Sequence, residues 1–194
     1  MRLFCNGIDS SANEYSLDVS KYTMKCSNLT IIFKRYMECE IGLINEVIKN
    51  SFIHYKDRFI MFTMNCGHHP ASGNHRTLLE YSRMVNNLMN LLNDSTLYIN
   101  KNNFAWIEST PIPFCNSERA VIVHKDWRTF HRLLMFNQEA NQIVQSYNYT
   151  MIPTFSSLLP FVDGATCDPW HFPSHAMLGV IYHLIHRIKM NKEL

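Results

Sequence analysis

The chain has 194 residues, 46% hydrophobic and 18% charged, with a formal net charge of +2 at pH 7. That length suits one domain, residues 1–194, with enough apolar side chains to bury a full core. Near-balanced charge, with no Lys/Arg run interleaved with aromatics, excludes the electrostatic footprint of a nucleic-acid binder, and the longest apolar runs fall short of the ~20 residues a membrane span requires.

The N-terminal stretch Met1-Arg2-Leu3-Phe4-Cys5 is too short an apolar run for a signal peptide. Six cysteines, at 5, 26, 39, 66, 115 and 167, and three Asn-x-Ser/Thr sequons, at Asn28, Asn93 and Asn148, nevertheless suit an oxidising secretory lumen (ER or Golgi) or the cell exterior. An Asn-rich chain also produces such tripeptides by chance. The terminal Asn191-Lys192-Glu193-Leu194 resembles an ER-retention tail only loosely.

In chain order, the hydrophobic period changes several times, as in strands alternating with helices, which is an α/β pattern. Leu29 to Lys34 and Arg58 to Asn65 are short apolar runs that suit buried parallel strands. Helical spacing follows each of them: Ile41, Ile44, Val47 and Ile48 after the first, and Leu78, Ser82, Val85, Met89 and Leu92 after the second. Phe104 to Ser109 reads as a third strand, ended by Thr110-Pro111-Ile112-Pro113 because proline cannot donate to a ladder. Asp126 stands where an N-cap belongs, before a helix with Phe130, Leu133, Leu134, Ala140, Val144 and Tyr147 on one side. Asn137 falls on that apolar face, where such a residue is ordinarily hydrogen-bonded in the core, and it is assigned no chemistry. Tyr149 to Phe155 gives a short fourth strand, and a loop through Asp163-Gly164 and Asp168-Pro169 leads into a last helix burying Met177, Val180, Ile181, Leu184 and Ile188.

Three-layer α/β domains place ligands at the carboxyl ends of their strands, so the segments just after each strand are where chemistry is sought. In Asp168-Pro169-Trp170-His171-Phe172-Pro173 a carboxylate can accept from one imidazole nitrogen, fix the tautomer, and leave the other nitrogen to take a proton from a nucleophile. The plain alternative is an Asp turn residue and a His packed under the last helix. In Asn65-Cys66-Gly67-His68-His69-Pro70 the glycine permits close backbone approach, so its N–H and the Asn65 amide can face a developing oxyanion. The alternative here is a strand-to-loop turn with Gly67 at positive φ. Cys66, His68, His69 and His75 look superficially like a zinc site, but their spacing fits no zinc pattern, and a disulfide or buried role suits Cys66 better.

Taken together, the order Asn65-Cys66-Gly67-His68 after a strand, Trp106-Ile107-Glu108-Ser109-Thr110-Pro111, a helix opening Asp126-Trp127-Arg128, and the terminal Asp168-x-x-His171 resembles the PC-esterase group of SGNH (GDSL-type) hydrolases. That group includes the plant trichome-birefringence-like and fungal capsule O-acetylation proteins, and the resemblance covers about Leu29 to Ile188. It implies a three-layer, flavodoxin-like parallel sheet ordered 2-1-3-4-5 and a serine nucleophile in a Gly-Asp-Ser turn after the first strand. Asp168 and His171 match the family's triad acid and base, and Asn65, Gly67 and His68 match its oxyanion-side block.

The departure is that Gly-Asp-Ser occurs nowhere in these residues. Either the chain begins just after the lost serine, or Gly7-Ile8-Asp9-Ser10 is a degenerate version of the motif with Ser10 as nucleophile. On the first reading the sheet lacks its first strand, which would lie between Leu29 to Lys34 and Arg58 to Asn65. The resemblance implies an O-acyl, most simply O-acetyl, esterase or acetyltransferase whose partner is an acylated carbohydrate or glycan, with no cofactor and no metal. A non-catalytic carbohydrate-binding protein of the same fold is the alternative. Oligomeric state is left open.

Overall fold

The computed structural model describes residues 21–26, 29–34, 41–55, 61–72, 76–94, 101–112 and 128–162, with four further positions, 179, 180, 182 and 186. The chain forms two compact units, Met1–Glu40 and Ile41–Leu194. In the first, β1 (Lys21–Cys26) pairs antiparallel with β2 (Leu29–Lys34), in a register running from Lys21 opposite Lys34 to Cys26 opposite Leu29. This corrects the expectation that Leu29 to Lys34 is a strand of the parallel sheet. Only Ser27 and Asn28 separate the two strands, and a parallel pairing needs a crossover of about a dozen residues or more. The segment expected to flank a missing first strand therefore has its partner in a hairpin.

In the second unit, β3 (Phe62–Met64), β4 (Phe104–Ile107) and β5 (Thr150–Ile152) form a parallel sheet in the order β3-β4-β5. The α/β class is as expected, and of the 2-1-3-4-5 order that the resemblance implied the last three strands are present in sequence. Register places Phe62, Thr63 and Met64 opposite Phe104, Ala105 and Trp106, and Ala105, Trp106 and Ile107 opposite Thr150, Met151 and Ile152. The connecting helices are α1 (Ile41–Tyr55), the short α2 (His68–Ala71), α3 (Leu78–Leu92), α4 (Phe130–Ser146) and the short α5 (Thr154–Leu158). Among the described residues no helix is long and apolar enough to cross a membrane.

The strand period of two explains why the sheet has a core on both faces. On one face Phe104 and Trp106 join Ile44 and Ile48 of α1, Tyr81, Val85, Leu88, Met89 and Leu92 of α3, and Leu133, Phe136, Ala140 and Val144 of α4. On the other, Ala105 packs with Ile152, Leu158 and Val180, and Ile107 lies against them. Val180 stands in the expected C-terminal helical segment and is buried. The Tyr81 ring stacks on Phe136 at 4.5 Å between centroids, which ties α3 to α4. Tyr81 rather than the neighbouring Ser82 therefore holds the buried position of that helical face.

The helix ends carry their own chemistry. Thr77 and Glu80 form a reciprocal capping box at the start of α3. Thr129, in extended conformation, caps α4 by accepting from the Arg132 N–H at 3.2 Å. The expected cap, Asp126, lies outside the described residues. At the other end of α4, Asn148 adopts φ 60°, where its N–H donates to the Gln145 carbonyl at 2.8 Å and that of Tyr149 to Val144 at 3.2 Å. This left-handed turn delivers the chain from α4 directly into β5, and asparagine is among the few non-glycine residues that enter it readily. Asn148→Gly should therefore leave the denaturant midpoint nearly unchanged, whereas Asn148→Val should cost about 1–2 kcal/mol, measured by urea unfolding.

Candidate functional site

Because the three strands are parallel, the segments that follow them emerge at one edge: Asn65 to Gly67 after β3, Glu108 to Thr110 after β4, and Pro153 and Thr154 after β5. This is the edge at which open α/β sheets bind ligands. Past the Glu108 N–H, which donates to the Ile152 carbonyl at 3.2 Å, the segments are joined there by side chains.

The joint is made by Ser109, 1% exposed, and Asn137, 3% exposed, from α4. The Asn137 amide accepts from the Ser109 N–H at 2.9 Å through Oδ1 and donates to the Ser109 carbonyl at 2.9 Å through Nδ2. It thus substitutes for a neighbouring strand, and the chain leaves the ladder after the Glu108 N–H because Ser109 has given both backbone groups to this side chain. The expectation that Asn137 is hydrogen-bonded in the core agrees with this geometry.

Ser109 in turn meets the block that follows β3. Asn65 Nδ2 donates to the Ile107 carbonyl at 2.7 Å and to Ser109 Oγ at 3.3 Å. Only an N–H can serve a carbonyl, so the orientation of this amide is set by its partner. The bond to Ser109 is the longer of the two.

Gly67 has φ −93° and ψ −33°, so it does not occupy the positive-φ turn that was the alternative for this segment. Its role is close approach. A Cβ added there would overlap Ser109 Oγ and stand 3.1 Å from Ser109 Cβ and 3.4 Å from the Tyr81 hydroxyl. Burial pushes the Tyr81 phenol above its ordinary range, and among the described residues its hydroxyl has no hydrogen-bond partner. His68, the next residue, places Nε2 3.0 Å from Thr110 Oγ1, a contact in which either atom can donate.

Two further contacts brace the edge. Glu108, 8% exposed, accepts from Asn141 Nδ2 at 2.6 Å and from the Phe155 N–H at 3.0 Å, while its own carbonyl accepts from the Thr154 hydroxyl. A buried carboxylate with two donors ties β4 to α4 and to the segment after β5. Arg132 donates through Nε to the Ala71 carbonyl at 2.9 Å and through a terminal nitrogen to that of Arg76, with its guanidinium 4.8 Å from the Phe136 ring centre. It holds both ends of the segment between α2 and α3. Cys66 is disulfide-bonded, so its sulfur is not a thiolate that could bind metal.

Of the residues expected to form the site, Asn65, Gly67 and His68 are brought to this edge. Asp168, His171 and Ser10 lie outside the described residues. Glu108, Ser109 and Thr110 entered the resemblance only as supporting context and were assigned no site role from the sequence. Their signal was available in three consecutive polar residues directly after the apolar run Phe104 to Ile107, paired with a polar residue on the apolar face of the following helix.

Gly67→Ala should destabilise the fold by about 1–3 kcal/mol through overpacking, and in a Ser109→Gly background that penalty should largely vanish because the clashing side chain is gone. A double-mutant cycle by chemical denaturation reads the difference. Cys66→Ser should lower stability by about 2–5 kcal/mol, read as the same shift that a reductant produces in the unaltered chain.

No family model and no curated protein matches this sequence. The fold is similar to the crystal structure of the lipase/acylhydrolase from Enterococcus faecalis, with a TM-score of 0.54 and 16% sequence identity over 76% of this chain and 70% of that one. At that identity the likeness is one of fold: this chain has the α/β architecture of a lipase/acylhydrolase.

Proposed function

We propose that this protein is an O-acyl esterase or acetyltransferase that acts on acylated carbohydrate hydroxyls, most simply O-acetyl groups, by serine chemistry. The observation that carries this reading is the meeting of Asn65, Gly67 and His68 with Ser109 and Thr110 at the C-terminal edge of an acylhydrolase-like parallel sheet. Support for the acid-base half comes from Asp168 and His171, three residues apart ahead of the last helix.

The chemistry is acyl transfer. A serine oxygen bonds to the acyl carbonyl carbon while His171, oriented by Asp168, accepts the serine proton. Negative charge gathers on the carbonyl oxygen, to which the Gly67 N–H and an Nδ2–H of Asn65, released from Ser109 Oγ, donate. Collapse breaks the ester bond, and His171 returns the proton to the departing sugar oxygen. Water or a second sugar hydroxyl then takes the acyl group by the reverse sequence. Among these residues the candidate nucleophile is Ser10, in Gly7-Ile8-Asp9-Ser10. Residence in a secretory lumen fits the Cys66 disulfide.

Absence of Gly-Asp-Ser from these residues favours one competing reading, a carbohydrate-binding protein without turnover. The test is hydrolysis of a small acetyl ester by a polypeptide extended upstream through an in-frame Gly-Asp-Ser. Turnover is expected, falling on the order of 10⁴-fold in Asp168→Asn and at least as far in His171→Ala. Activity that survives His171→Ala removes the triad reading. Binding of an acetylated glycan with no turnover establishes the competing one.

A further inference from the structure

We infer that Asn148 and Asn93 carry N-linked glycans, and that both glycans stand at the pole of the sheet opposite the candidate site. The inference rests on the luminal part of the proposed function and not on its esterase chemistry.

Both side chains are exposed, and both head a sequon, Asn148-Tyr149-Thr150 and Asn93-Asp94-Ser95. Asn93 is the C-cap of α3, and Asn148 is the left-handed residue just past α4. In a parallel sheet each connecting helix runs back against the strands, from their C-terminal edge to their N-terminal edge. Helices α3 and α4 pack against each other, lead into β4 and β5 respectively, and so end at the same pole. Asn148 is two residues ahead of Thr150, the first residue of β5, whereas Asn65, Gly67 and Ser109 follow the last residues of β3 and β4. The height of the sheet, about 3.3 Å per strand residue, separates the two edges. Glycans at these positions leave the strand-end edge uncovered.

The choice of residue at position 148 carries a second argument. The turn requires φ 60°, and glycine meets that requirement at no steric cost. Asparagine meets it too and in addition presents an exposed amide with a hydroxyl residue at the second position after it.

The donor is an oligosaccharide linked through a diphosphate to a polyprenyl lipid. Nδ2 of the asparagine forms the bond to the sugar C1, the C1–O bond to the diphosphate breaks, Nδ2 gives up a proton, and the lipid diphosphate leaves. In the folded chain this cannot occur at Asn148. Tyr149 is 5% exposed, the N–H groups of Asn148 and Tyr149 are bound to α4 carbonyls, and Thr150 is paired with Ala105. The tripeptide cannot extend into a transferase. Transfer therefore precedes closure of the turn between α4 and β5, and folding ends the opportunity.

The test is made on the full gene product isolated from the secretory pathway of a eukaryotic host. Peptide-N-glycosidase treatment in heavy-oxygen water is followed by mass mapping of the peptides holding Asn93 and Asn148. Both are expected to be modified, with one glycan lost in Asn148→Gly and one in Asn93→Gln, and with any ester turnover unchanged in either variant. Dithiothreitol added during synthesis, which delays closure of the Cys66 disulfide, is expected to raise occupancy at Asn148. Unmodified peptides at both positions, whether the chain enters the lumen or not, overturn the inference. Occupancy at Asn148 that does not respond to the reductant overturns its timing. Neither outcome bears on ester hydrolysis, so the inference and the esterase reading fail separately.

Discussion

The pairing between the Asn137 side chain and the backbone of Ser109 is the constraint on which the strand-end edge depends. Beyond the Glu108 N–H, which still donates to the Ile152 carbonyl at 3.2 Å, the ladder no longer supports the chain, yet Ser109 is buried and its peptide groups need partners. A side-chain amide has the same donor and acceptor geometry as a peptide, so Asn137 can stand in for a strand while belonging to a helix. With its backbone so held, Ser109 presents Oγ to Asn65 and closes against Gly67. Removing the amide would leave a buried donor and a buried acceptor unmatched, at about 1–3 kcal/mol each.

The same edge is braced from either side by groups that are expensive to bury alone. Glu108 is acceptable there because Asn141 and the Phe155 N–H meet its two oxygens. Arg132 spends its donors on the carbonyls of Ala71 and Arg76 and lays its guanidinium near Phe136. Asn141 and Arg132 both belong to α4, which makes that helix the frame of the site as well as a wall of the core. Polar groups satisfied in this way rigidify what they hold.

Much of this was legible in the residues. The helices between the strands and the placement of Asn65, Gly67 and His68 after a strand follow from period, length and breaker residues, while the order β3-β4-β5 was what the family resemblance implied. Leu29 to Lys34 was legible as a strand but not in its pairing, because an apolar run has the same appearance in a buried parallel strand and in a hairpin. The tell was the two-residue separation from Lys21 to Cys26, a segment whose alternation is weaker. Ser109 and Thr110 were passed over because polar residues before two prolines look like any loop.

The sequence by itself determined the α/β class, the strand-end position of the Asn65 to His68 block, and the apolar faces of α3 and α4, since these depend on local period and on residue type. Only the tertiary structure decided that Gly67 serves close approach instead of positive φ, that Asn137 grips Ser109 across 28 positions of sequence, and that the Asn65 amide faces Ile107. Those facts depend on which strand end meets which helix face, and such contacts between segments far apart in the chain have no signature in the residues on either side of them.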